Sequence, residues 1–187
     1  MSGEAAERRT LLGIVGIPGS GKSTLAAQLA ADMADRGAVT IPMDGFHLPD
    51  AVLAARGLAA VKGAPQTYDV DGLVALLDRL REDSGTVLAP AYSRELHAVV
   101  ADAIEVPPTS RVIIVEGNYL QFWPRVRSRL DEVRRLDVPW AVARERLIAR
   151  RVATGRDPQE AREWVDRVDS ANAELISPQA TRGSQSS

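Results

Sequence analysis

Apolar positions in this chain come in short blocks separated by stretches with helical spacing. "LLGIVG" (11–16) is a continuous apolar run closed by glycine, the pattern of a strand buried on both faces. "KSTLAAQLAADMADRG" follows, with Leu25, Leu29 and Met33 at four-residue spacing and Gly37 where a helix C-terminal glycine belongs. "AVTIPM" (38–43) predicts a second strand, and strand–helix–strand in that order argues for a parallel α/β sheet. Residues 48–62 predict weak helix broken at Gly57, and 62–70 a loop. "DGLVALLDRLRED" (71–83) puts Leu73, Leu76, Leu77 and Leu80 on one helical face, with Asp69 or Asp71 available as cap. "GTVLAPAYS" and "DAIEVPP" pair as a short hairpin. "RVIIVEG" (111–117) is the clearest strand, four consecutive β-branched residues ending at Glu116-Gly117, and "VRRLDVP" (133–139) predicts the last one. From Trp140 to about Ile176 the pattern is helical and rich in arginine, interrupted at "TGRDP" (154–158).

Composition narrows this picture. A chain of 187 residues, 45% hydrophobic and 26% charged, suits one globular domain, expected over 11–176 with flexible tails at 1–10 and 177–187. The absence of cysteine excludes disulfides and thiolate metal sites and suits a reducing, cytoplasmic setting. A net charge of −2 gives no broad electrostatic case for nucleic acid, and no apolar run is long enough for a membrane span. Of 23 basic residues only Lys22 and Lys62 are lysines, which singles both out.

The candidate chemistry begins at "GIPGSGKS", Gly16 to Ser23, a complete G-x-x-x-x-G-K-[ST] motif between a predicted strand and a predicted helix. Gly16, Pro18, Gly19, Ser20, Gly21, Lys22, Ser23 and Thr24 are the expected nucleotide-binding residues. Glycines let backbone N–H groups wrap a phosphate, and the helix N-terminus adds its partial positive charge. Lys22 reaches the outer phosphates and Ser23 can ligate Mg²⁺, so ATP and Mg²⁺ are the expected cofactors. A dinucleotide fold also pairs a glycine turn with a later acid, but its G-x-G-x-x-G order is not the one here.

In a parallel sheet of this type ligands sit outside the carboxyl ends of the strands. Asp44 ends the second predicted strand, where it can take a proton from an attacking hydroxyl or hold metal-bound water. Glu116 ends the third, where its expected role is magnesium or its water shell. His47, His97 and Lys62, the last beside Tyr68, lie in polar loops that can supply an acceptor pocket. Arg144, Arg146, Arg150, Arg151 and Arg156 surround a hinge at Thr154-Gly155. A lid over about 144–160 could bring Arg146 and Arg150 to the nucleotide and Arg151 to the transferring phosphoryl group. Trp123, Trp140 and Trp164 read as packing residues.

"GIPGSGKST", "MDGFH", "KGAPQTYDVDGL", "PAYSRELH", "VIIVEGNYL" and "RLIARRVATG" together resemble the phosphoribulokinase/uridine kinase group of P-loop kinases, with type I pantothenate kinases included, from about Leu11 to Ile176. The resemblance implies a three-layer α/β fold with a mostly parallel, about five-stranded sheet, and MgATP-dependent phosphorylation of a small-molecule hydroxyl. It puts the base on Asp44, the phosphate loop on Gly16 to Thr24, the second acid on Glu116, and the acceptor region on Tyr92, Arg94 and His97. A nucleoside is the acceptor expected first, with pantothenate or a sugar also open. The chain is much shorter than pantothenate kinases, so acceptor identity does not carry over. A homodimer stays open, and the alternative function is an ATPase or nucleotide-dependent regulatory protein without an acceptor.

Overall fold

The computed structural model describes residues 8–96 and 98–176. The expected tail at 177–187 lies outside them, as does most of that at 1–10. Arg9 and Thr10 do not belong to a tail: Thr10 opens the first strand and Arg9 is buried.

Strands β1 (Thr10–Gly16), β2 (Val39–Pro42), β5 (Val112–Gly117) and β6 (Glu132–Leu136) form one parallel sheet in the order β2-β5-β1-β6. The expected count of about five is not reached among the described residues. β3 (Val87–Ser93) and β4 (Ala98–Val106) pair antiparallel as their own hairpin, as the sequence pattern predicts, and beyond β6 the described chain is helical.

The sheet carries helices on both faces because its central strands are apolar on both. Leu12 and Ile14 of β1 and Val112 and Ile114 of β5 point to α1 (Lys22–Asp32), where Ala26, Leu25 and Leu29 pack on them. Leu11 and Val15 of β1 and Ile113 and Val115 of β5 point the other way, into a larger core with Leu73, Leu76, Leu77 and Leu80 of α3 (Val70–Glu82). Asp69 is the cap that α3 uses, its side chain accepting from the Gly72 N–H. After α2 (Asp50–Ala55) and the short α4 (Pro124–Arg127), α5 (Trp140–Ala153) and α6 (Pro158–Trp164) pack through Leu147, Ile148, Ala161 and Val165. A π-turn over Val165–Asp169 joins α6 to α7 (Ser170–Leu175).

One buried charge ties the far end of this frame. The Arg9 guanidinium donates to the carbonyls of Ser110, Leu80, Asp83, Gly85 and Pro107 at 3.2–3.3 Å. An arginine has five N–H donors, so its hydrogen-bonding capacity is matched there. The contact joins β1, the end of α3 and the turns flanking the hairpin. Arg9→Met should lower the unfolding free energy by about 3 kcal/mol, since carbonyls buried without partners are costly. Denaturant titration checks this, and a loss below about 1 kcal/mol would mean that water replaces the guanidinium at little cost.

Candidate active site

The phosphate loop runs from the end of β1 into α1. Gly21 takes a left-handed conformation (φ 98°) as it enters the helix, and so does Gly19 (φ 77°). A Cβ on Gly19 would also lie 2.6 Å from the Ala143 carbonyl oxygen, because the backbone of α5 rests directly on the loop. The expected lid is therefore a docked helix: Arg146 Nη1 donates to the Gly19 and Ser20 carbonyls at 3.5 and 3.4 Å. Ser20 is buried behind the loop, while Pro18, Gly19, Gly21, Ser23 and Thr24 line the cavity in front of it.

Lys22 is buried, with Nζ donating to the carbonyls of Gly16 at 3.1 Å and Ile17 at 3.0 Å. Gly16 thus serves the site through its carbonyl. Burial pulls the Lys22 ammonium down to about 8, with Glu116 and Asp44 opposing the fall and Arg150 adding to it. Glu116 is held to α1 by Ser23, whose Oγ donates to Oε1 at 2.8 Å. The pleat explains the meeting: Glu116 shares the parity of Val112 and Ile114, so it faces α1. Burial raises its pKa, against the Ser23 hydrogen bond and the nearby Lys22 charge.

Ser23 and Glu116 supply two hard oxygen ligands, a donor set that suits magnesium completed by phosphate oxygens and water. Among the described residues no cluster of three or more His, Asp or Glu could cage a metal without such help.

Asp44 lies in a tight turn (Met43–Phe46) immediately after β2 and faces the same cavity as Lys22 and Glu116. Gly45 is small for a packing reason: a Cβ there would collide with the Pro90 carbonyl oxygen of β3. His47 Nδ1 lies 2.8 Å from the Asp44 carbonyl, to which it donates, and its ring sits 4.2 Å from Tyr68 and 5.3 Å from Tyr92. The loops expected on the acceptor side are stitched together, since Asp69 N–H donates to Phe46 O and Leu48 N–H to Thr67 O. Tyr68 is nearly enclosed, and burial keeps its hydroxyl protonated by raising its pKa well above the usual value. Lys62, Tyr92 and Arg94 line the same cavity, whereas His97 lies outside the described residues.

The arginines divide by where they point. Arg146 reaches the phosphate loop, and Arg150 lines the same cavity. Burial and the neighbouring Arg94 charge lower the Arg150 pKa. Arg151 also lines the cavity, but it bonds Asp169 at 3.4 Å and stacks on Trp164 at 4.9 Å. Arg144 turns away to Asp166, and Arg156 is exposed. Trp123 packs against Tyr68 and Tyr119, and Trp140 packs against the α5–α6 core. Trp164 departs from its packing role: it stacks under two guanidiniums, Arg151 and Arg167. Asp169 and Asn172 enter the cavity wall although nothing in the sequence marked them.

No family model matches the sequence. A Schizosaccharomyces pombe protein named "Putative uridine kinase" is 34% identical over 185 residues, covering 91% of this chain and 79% of that protein. A solved structure described as a "putative fructose transport system kinase" from a Silicibacter species superposes with a TM-score of 0.85 at 38% identity, covering 94% of this chain and 87% of that one. The chain belongs to the phosphoribulokinase, uridine kinase and pantothenate kinase family of P-loop kinases. It is a phosphotransferase acting on a small molecule. Pantothenate kinase from Yersinia enterocolitica is 36% identical over 116 residues, which cover 59% of this chain and 37% of that protein. As in other P-loop kinases, nucleotide and metal are part of the family chemistry. No described helix is long and apolar enough to cross a membrane.

The lowered Lys22 value has a testable sign. The ammonium attracts phosphate only while protonated, so nucleotide affinity should hold below about 8 and weaken as pH rises through it. Lys22→Arg should bind more weakly at neutral pH but lose this dependence, because arginine does not titrate there. Calorimetric titration with MgADP across pH checks both, and a wild-type affinity flat well above pH 8 would contradict the assignment.

Proposed function

We propose that this kinase transfers the γ-phosphoryl group of MgATP to a hydroxyl of a small molecule, with Asp44 as the base. The observation that carries the reading is one cavity of about 570 Å³ in which Asp44 faces Lys22, Ser23 and Glu116. MgATP supplies the phosphoryl group, and its metal supplies counter-charge for the phosphates. The Gly16–Thr24 loop holds the phosphates through backbone N–H groups, and Lys22 adds its charge at the outer end. Ser23 and Glu116 would hold the metal's protein side. Arg146 and Arg150 approach from α5 and stabilise charge on the transferring group, with Arg151 held beside them by Asp169.

Asp44 orients the acceptor hydroxyl and takes its proton as the oxygen attacks in line. Its turn is rigid for the task, since Gly45 is wedged on Pro90 and His47 bonds the Asp44 carbonyl. His47, Tyr68, Tyr92 and Arg94 form the walls of the acceptor half, with Lys62 at its edge.

Asp44→Asn should reduce kcat by about 10²-fold or more while leaving MgATP affinity within about threefold of wild type. Acceptor-dependent ADP release and nucleotide titration measure the two quantities. Normal turnover in Asp44→Asn would remove Asp44 as base. ADP release that ignores every acceptor would favour an ATPase instead.

A further inference from the structure

We propose that Asp169 and Trp164 are positioning residues: together they turn the Arg151 guanidinium into the cavity and hold it there for the transferring phosphoryl group. This rests on the kinase reading of the same cavity and deepens it by saying what aims one of its arginines.

Arg150 and Arg151 are neighbours in the last turn of α5, and neighbours on an α-helix point about 100° apart. Both nevertheless line one cavity. Arg151 therefore has to be brought round, and the groups that reach it lie beyond α5. Trp164 ends α6 and Asp169 closes the π-turn. The guanidinium lies 4.9 Å over the Trp164 ring, and its Nη2 donates to Asp169 Oδ2 at 3.4 Å.

This pair is unlike the ion pairs that fasten the surface. Arg144 grips Asp166, three residues earlier on the same π-turn, through Nε and Nη2 at 2.6 and 2.8 Å. Arg129 grips Asp78 in the same two-pronged way, also at 2.6 and 2.8 Å. Arg151 makes one long bond, and its Nε is buried without a partner. A charge drawn in for so little return is a poor means of stabilising a fold. Of the five N–H donors, one goes to Asp169 and the Nε–H is enclosed. The three that remain belong to the terminal nitrogens, the fork from which two phosphoryl oxygens accept side by side.

Asp169 also answers charge that would drive the arginines apart. Arg94 and Arg151 both act on Arg150 as like charges, and Asp169 opposes them. Burial raises the Asp169 pKa, while Arg151 and Arg150 pull it back down. With an uncharged side chain in its place, Arg151 would lose the group that draws it inward and would swing towards solvent.

A double-mutant cycle in the full chain tests this. ADP release is followed with MgATP and the most effective acceptor among uridine, pantothenate, glycerate and glucose. Asp169→Asn should lower kcat by about tenfold while the KM values for MgATP and acceptor stay within about threefold. In an Arg151→Met background the same change should cost less than about twofold, because nothing is left to aim. Additive losses would overturn the inference, as would normal turnover in Arg151→Met. An acceptor KM raised in both backgrounds would also overturn it, by showing that Asp169 touches the acceptor itself. Trp164→Leu gives a second cycle with the same expectation should Asp169→Asn not fold. If no acceptor drives ADP release, the kinase reading fails on this panel, and calorimetry decides the inference alone. Asp169→Asn should then lower the affinity for a non-hydrolysable MgATP analogue relative to MgADP by about threefold or more, and only while Arg151 is present. A ratio unchanged by Asp169→Asn, or lowered equally in Arg151→Met, would overturn it.

Discussion

Glu116 ends the most buried strand of the sheet, and a carboxylate there is stable only if something nearby answers its charge. Ser23 and Lys22 answer it from the first turn of α1. That requirement fixes much of the site. It sets the register of the phosphate loop against β5, keeps Lys22 buried in the neck of the loop, and leaves two oxygen atoms facing the place where phosphates would lie. The pleat of β5 does the aiming, because the same alternation that sends Ile114 into the α1 core sends Glu116 to Ser23.

The proposed acceptor half is built differently. Its walls come from loops, and their order depends on cross-links between them. The backbone pairs joining 46–48 to 67–69, the His47–Tyr68–Tyr92 ring contacts and the Gly45–Pro90 packing make three separate segments behave as one surface. Tyr119 extends this by donating its hydroxyl to the Gly63 carbonyl from the loop after β5. The nucleotide half follows from one strand–loop–helix unit, whereas the acceptor half needs most of the chain in place.

That contrast explains what could be read in the sequence. The four sheet strands, the hairpin and α3 were legible because each carries a periodic or continuous apolar pattern that the core then uses. The phosphate loop was legible because its glycines and lysine are dictated by local backbone geometry. Asp44 and Glu116 could be found from the rule that strand ends meet at one edge. Arg9 could not, since a lone arginine before a strand has no pattern until five distant carbonyls converge on it. The docking of α5 was equally hidden: arginine spacing suggests an exposed helix, while the contact that seats it is a backbone carbonyl against Gly19. Asp169 and Asn172 depend on the helix phase set by the π-turn, which residue spacing read as ordinary helix does not give.

That π-turn, Val165–Asp169, has a consequence for insertions and deletions. It holds one residue more per turn than an α-helix, and so shifts the phase of everything after it by about 100°. Ala161 ahead of it and Val165 at its start face the α5 core; after it, Asn172 faces the cavity and Ile176 the main core. Two interfaces with incompatible helical phase are thereby served by one continuous rod. Straightening the turn to regular helix at unchanged length would rotate everything after it by about 100° and force a choice between them, whereas losing one residue from the turn would leave a regular helix with both faces in place, so a one-residue deletion is better accommodated here than elsewhere along the rod.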